Sequence, residues 1–284
     1  MSPTEPLGIL AGGGDFPLRI VQDAIAAGRP VFVVIIEGWA DPAAFVGIPH
    51  VVQRLGAIGA TLDLLRSRGI RQVVMAGQAK RPSLLSLRPD LAGAKLIARV
   101  GQAFFGGDDG LLKGIARVMG EEGFEVLPVH AVLRDTMPGP GAMGSAMPDD
   151  AARADIARGV AVVRALGAVD VGQGCVVQQG LVLAVEAIEG TDAMLTRAGG
   201  LRREGPGGVL VKLLKPGQDR RVDLPAIGPK TVEAAIAAGL RGIAIEAYGT
   251  VVVDRDALMQ LANQAGLFVI AIMPDEFNEA RRTP

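Results

Sequence analysis

Apolar and polar positions alternate along this chain in blocks rather than residue by residue. Short β-rich runs at Leu7–Ala11, Val31–Ile36 and Gln72–Ala76 have the length of buried strands. Helical spacing of apolar residues fills the gaps. One helix runs from the Gly12-Gly13-Gly14 turn to about Gly28, and another spans 58–69, where Leu62 and Leu65 share a face. Further helices are predicted over 95–100 and 111–123, and a strand over 125–129. Alternation of this kind predicts a parallel sheet with right-handed crossovers, hence a Rossmann-like α/β domain over residues 1–134.

The period is lost over 135–148, where Pro138-Gly139-Pro140-Gly141 reads as a linker. A helix starting near Asp149 opens a second domain over 149–284. Paired strand runs are predicted near 175–187, then a helix after Thr191 and a strand over 208–214. Helices over 230–239 and 254–266 alternate with strands over 242–246, 250–253 and 267–272. The expected fold is therefore α/β in two domains, an N-terminal Rossmann-like parallel sheet and a C-terminal mixed α/β domain.

Composition narrows the function. The 29 basic and 30 acidic residues of the 284-residue chain nearly cancel, which argues against nucleic-acid binding. A single cysteine, Cys175, excludes an intramolecular disulfide and a multi-cysteine zinc site, and it reads as a packing residue. Two histidines, His50 and His130, exclude a histidine-rich metal centre; the first reads as a loop residue and the second as structural. The N-terminus has neither a positive region nor a long apolar one, so a cytoplasmic protein is expected.

Chemistry gathers where strands end. Gly12 and Gly13, with Gly14 and Asp15, follow the first strand and precede a helix, which suits either an anion at a helix N-terminus or a tight turn. The run lacks the G-x-G-x-x-G spacing and the P-loop lysine. Gly77 and Gln78 leave the third strand, followed by Lys80 and Arg81, which suit either a phosphate clamp or a solvated loop. Asp108 and Asp109 read as a helix cap. After the later strands come Glu189, Thr191 and Asp192, then Lys212, Lys215, Gln218, Arg221 and Asp223. Carboxylates can hold a hard metal ion and cations can hold phosphates, so this mixture points to metal-assisted chemistry on a phosphate ester or anhydride. Thr191 or Asp192 can instead cap the following helix, whereas Asp223 sits in a segment too irregular for a helix start.

Read in order, Leu10 to Pro17, Met75 to Gln78, Gly106 to Asp109, Ala187 to Asp192 and Lys215 to Pro229 resemble the UDP-2,3-diacylglucosamine pyrophosphatase family of lipid A biosynthesis, the type unrelated to calcineurin-like metallophosphoesterases. The resemblance runs from Leu7 to about Met273. It implies hydrolysis of UDP-2,3-diacylglucosamine to UMP and 2,3-diacylglucosamine 1-phosphate (lipid X), with water attacking the sugar-side phosphorus. A divalent cation is implied, Mg²⁺ or alternatively Mn²⁺, with Asp223 and Asp192 as its expected ligands. Asp223 is the implied catalytic aspartate, with Asp192 and Glu189 beside it. Gly12, Gly13, Asp15, Gly77, Gln78, Thr191, Lys212, Lys215, Gln218 and Arg221 are the expected substrate contacts. The lipid is expected between the two domains, with the nucleotide on the second. Peripheral contact with the inner membrane and a homodimer are compatible with this reading. Two alternatives stay open: a nucleotide-dependent oxidoreductase, suggested by the glycine turn with Glu37 after the second strand, and a non-catalytic carrier of an acylated sugar.

Overall fold

The computed structural model describes residues 5–77, 89–90, 93–95, 108–133, 136–222 and 224–277. Gln78, Lys80, Arg81 and Asp223, and the helix expected over 95–100 beyond Lys95, lie outside the described residues. The chain divides into two compact units. One comprises Met1–Arg134 with Asp219–Asp223, the other Asp135–Gln218 with Leu224–Pro284.

In the first unit, β1 (Leu7–Ala11), β2 (Val31–Ile36), β3 (His50–Gln53), β4 (Gln72–Ala76) and β5 (Glu125–Leu127) form a parallel sheet in the order β3-β2-β1-β4-β5. Alternate side chains serve two cores, because both faces of the sheet are covered. Leu7, Ile9 and Ala11 pack with Ile20, Val21 and Ala24 of α1 (Phe16–Ala26) and with Val129 of the short α4 (Val129–Val132). Leu10, Val34, Val73 and Met75 pack with Leu62 and Leu65 of α2 (Ile58–Ser67) and Met119 of α3 (Asp108–Glu121). The chain winds outward from β1 through β2 to β3, then returns to the other side of β1 as β4. That reversal creates a switch point at the carboxyl ends of β1 and β4.

Two local expectations differ from the structure. His50, expected in a loop, opens β3, an edge strand whose exposed and half-buried positions carry too weak an apolar run to stand out. The strand expected over 125–129 stops at Leu127, because Pro128 has no N–H for the ladder; His130 then lies in α4.

The second unit holds a mixed sheet in the order β6-β13-β11-β9-β7-β8. Its strands are β6 (Gly141–Ala142), β7 (Gly174–Gln178), β8 (Leu181–Val185), β9 (Val209–Lys212), β11 (Gly242–Glu246) and β13 (Phe268–Ile272). β9, β11 and β13 run parallel, with antiparallel strands at both sides. On one face α5 (Asp150–Ala168) buries Ile156, Val160 and Val163 against Cys175, Val209 and Val211. On the other, α6 (Gly190–Gly199), α7 (Pro229–Ala237) and α8 (Arg255–Gln264) bury Leu195, Val232 and Leu258 against Leu210, Ile243 and Val269. Short strands β10 (Ala226–Ile227) and β12 (Val251–Val252) pair apart from the main sheet. Burial pushes the Cys175 thiol up to about 12, so it is an inert packing group.

Residues expected as a linker over 135–148 are built into this unit instead. Ala142 pairs with Ile270 at the sheet edge, Val252 N–H donates to Thr136 C=O at 2.7 Å, and Tyr248 N–H donates to Pro138 C=O at 3.0 Å. Pro and Gly erase the hydropathy period but leave carbonyls free to accept. Nor does one domain run unbroken over 149–284, because Asp219–Asp223 groups with the first unit.

Candidate functional site

One row of strand termini in the second unit brings buried polar side chains together. Glu186 follows β8 and donates its backbone N–H to Gly174 C=O at 2.8 Å; Gly174 is paired with Lys212 at the end of β9, and Lys212 with Ile245 of β11. These pairings place Glu186 and Lys212 one strand apart on the same edge. Thr191 enters from the first turn of α6. Lys212 Nζ donates to Thr191 Oγ1 at 2.5 Å, and that hydroxyl donates to Glu186 Oε1 at 2.8 Å. The ammonium lies 3.9 Å from the same carboxylate oxygen, and both side chains are buried. Glu186 Oε2 is also buried and has no hydrogen-bond partner among the described residues. A neighbouring carboxylate, Glu246, ends β11 and accepts from the Leu214 backbone N–H at 3.0 Å.

The expected site residues are divided by this geometry. Thr191 and Lys212 meet. Glu189 turns to its own helix, where Arg197 donates to it at 2.6 Å; its own backbone N–H and then Arg197 hold its carboxyl below the usual range. Asp192 is exposed in the first turn of α6. Lys215 pairs with Asp170 at 2.8 Å, and its backbone N–H donates to Gln218 Oε1 at 3.0 Å. Both residues thereby build the turn after β9. Arg221 closes on Asp219 through its backbone N–H, Nε and Nη2, at 3.0, 3.0 and 2.7 Å. The Arg221 guanidinium holds the Asp219 carboxyl below the usual range.

Gly12, Gly13, Asp15 and Gly77 gather at the switch point of the first unit. Gly12 N–H donates to Ala76 C=O at 2.7 Å. Gly77 has a φ of +96°, and a Cβ there would meet Gly12 C and Gly13 O at 2.7 Å, so only glycine fits the approach. Asp15 occupies the N-cap position of α1 without a side-chain cap bond to that helix. Behind these glycines lies an apolar recess of about 70 Å³. Val222, from the segment Asp219–Asp223, forms part of its wall.

Among the described residues, no group of three or more His, Cys, Asp or Glu side chains is placed to hold a metal ion. Asp192 therefore has no set of described ligands around it, and Asp223 lies outside the described residues. Sequence reasoning passed over Glu186, the carboxylate that meets Lys212. Its position directly after the run 182–185, where a strand ends, was the available signal. Trp39 and Val222 at the recess were also missed, because nothing local distinguishes them from core residues.

Residues 6–136 match the model of the LpxI N-terminal domain and residues 139–270 that of the LpxI C-terminal domain. A curated relative from Caulobacter vibrioides, UDP-2,3-diacylglucosamine pyrophosphatase LpxI, is 41% identical over 276 residues, 95% of this chain and 98% of that protein. Among solved structures, CobK precorrin-6A reductase aligns over 95% of this chain and 88% of its own at 12% identity, with a TM-score of 0.36. The Thermus thermophilus UDP-glucose 4-epimerase complex with NAD aligns over 98% and 94% at 16% identity, with a TM-score of 0.31. Likenesses that weak carry nothing about this chain, whereas the two domain models and the near-full-length identity do: the chain belongs to the LpxI family.

Proposed function

We propose that this chain hydrolyses UDP-2,3-diacylglucosamine to UMP and 2,3-diacylglucosamine 1-phosphate, as a step of lipid A biosynthesis. The observation that carries the reading is the 41% identity to a protein named for that activity, extending over 95% of this chain. The strand-end cluster is compatible with it. A buried ammonium, held by Thr191 and Glu186, suits the charge of a pyrophosphate better than it suits hydride transfer.

In this reaction water supplies the hydroxyl that joins the sugar-side phosphorus. The bond from that phosphorus to the bridging oxygen breaks, and the oxygen leaves with UMP. Asp223 is proposed as the group that takes the water's proton, and Lys212 as a cation facing the phosphates. Mg²⁺ is proposed because a divalent cation neutralises pyrophosphate charge. The described carboxylates do not assemble a site for it, so no step is routed through it.

Release of UMP from UDP-2,3-diacylglucosamine, with UDP-N-acetylglucosamine as control, tests the reading. Turnover should need the acylated substrate, stop in EDTA and return with Mg²⁺. In ¹⁸O water the label should enter the lipid phosphate and not UMP. Lipid binding without turnover in Mg²⁺ would leave a carrier instead.

A further inference from the structure

We infer that Glu186 is a positioning residue: acting through the Thr191 hydroxyl, it holds the Lys212 ammonium in one direction and leaves its remaining N–H groups for the phosphate oxygens of a nucleoside diphosphate ester. The inference rests on the proposed reading for the role of Lys212. Chemistry fixes the direction of this chain of bonds. An ammonium can only donate and an ionised carboxylate can only accept, so the hydroxyl between them must accept from Lys212 and donate to Glu186. Glu186 Oε1 lies 3.9 Å from Nζ, beyond hydrogen-bond reach. Thr191 therefore takes one N–H of the ammonium, and no described residue takes the rest.

The carboxylate is itself held. Glu186 follows β8, whose pairing with β7 fixes its backbone, and Gly190, with a φ of +80°, turns the chain into α6 just ahead of Thr191. A Cβ on Gly174 would stand 2.6 Å from Glu186 Oε2, so the second carboxylate oxygen occupies the space that glycine leaves. That oxygen is buried with no hydrogen-bond partner among the described residues, which costs stability. Glu186 and Lys212 are only 6% and 5% exposed, and an apolar pair of similar volume would fill this space without loss to the fold. Packing therefore gives no reason for a carboxylate, a hydroxyl and an ammonium in line, whereas aiming a cation does. A lysine stem is flexible, and an ammonium left to swing would have to be oriented afresh at each turnover. Anchored through Thr191, it meets the substrate without reorganising.

A cycle of variants in the full-length protein tests this, read by UMP release from UDP-2,3-diacylglucosamine and, separately, by calorimetric binding of inorganic pyrophosphate. Lys212→Met should lower kcat/KM about a hundredfold, the scale of one lost electrostatic contact. Thr191→Val, which keeps the shape and removes the bridge, should lower it about tenfold, and Thr191→Ser should restore most of that loss. Gly174→Ala adds a methyl that presses on the flexible end of Glu186, so it should fold like the parent and still lose activity about tenfold. In a Lys212→Met background neither Thr191→Val nor Gly174→Ala should cost anything further, because both act through the ammonium. A purely structural role would lower activity in that background as well. Losses that add there overturn the inference, as does a Thr191→Val protein with the parent's activity. If the parent releases UMP and the losses add, the positioning role falls and the proposed reaction stands. If the parent releases none, pyrophosphate binding carries the same cycle: non-additive weakening keeps the positioning role without the reaction, and no binding removes both.

Discussion

Lys212 Nζ and Thr191 Oγ1 lie 2.5 Å apart at the end of β9, and through that hydroxyl the buried ammonium is tied to Glu186, whose carboxylate sits 3.9 Å away. Glu186→Leu leaves the ammonium buried without its counter-charge. Loss of one partner from such a pair costs about 3–5 kcal/mol, so the variant should melt well below the parent. Glu186→Leu combined with Lys212→Met should recover most of that loss, because an apolar pair of similar volume is about neutral. Urea melts of the two single variants and the double variant measure the coupling. UMP release should stay low in the double variant if Lys212 serves the phosphates. A Glu186→Leu protein as stable as the parent would show that the pair contributes nothing.

Acid should loosen the segment around Asp219. Its carboxyl titrates below the usual range, chiefly because the Arg221 side chain donates to it. The folded protein therefore holds that proton less readily than the unfolded chain. The resulting stability is present above the ordinary carboxylate value of about 4 and is lost as pH falls through the lowered folded value. Asp219→Asn should lower the melting temperature at neutral pH and flatten the acid limb of its pH dependence. The two curves should converge at low pH. A variant whose acid limb matches the parent's would assign that loss to other carboxylates.

Strand positions were legible in the sequence wherever burial on both faces made runs continuous, as in β1, β2, β4 and β13. The helices facing them were legible from their spacing. β3 was not, since an edge strand with exposed positions has little apolar signal. β6 was not, because two residues framed by Pro and Gly have no period, and only their partners Ile270 and Ala271 make them a strand. Of the polar residues singled out after strands, Thr191 and Lys212 do converge. That Glu186 and not Glu189 completes their group depends on which carboxylate the turn into α6 leaves facing the sheet, and that is fixed by tertiary packing. The grouping of Val222 with the first unit is likewise a long-range fact that no local pattern carries.

Asp223→Ala should lower kcat by about a hundredfold or more, the scale seen when a general base or metal ligand is removed, with little change in the melting temperature. Steady-state UMP release and a thermal melt on the same preparation separate the two effects. Near-normal turnover would take Asp223 out of the reaction and reopen the choice of base.

Two glycines at the switch point should respond differently to the same methyl group. Gly14 and Gly77 both have positive φ, +84° and +96°, so alanine at either pays the left-handed backbone cost of roughly 1–2 kcal/mol. At Gly14 a Cβ has nothing within 4 Å, so the cost ends there. At Gly77 the Cβ meets backbone atoms of Gly12 and Gly13 at 2.7 Å. Backbone cannot swing aside as a flexible side chain can, so β1 and β4 must part and weaken the Gly12 N–H to Ala76 C=O bond. Gly77→Ala should therefore lose several degrees more in melting temperature than Gly14→Ala. Equal destabilisation by the two substitutions would mean that the close approach of the two strand ends does not constrain the fold.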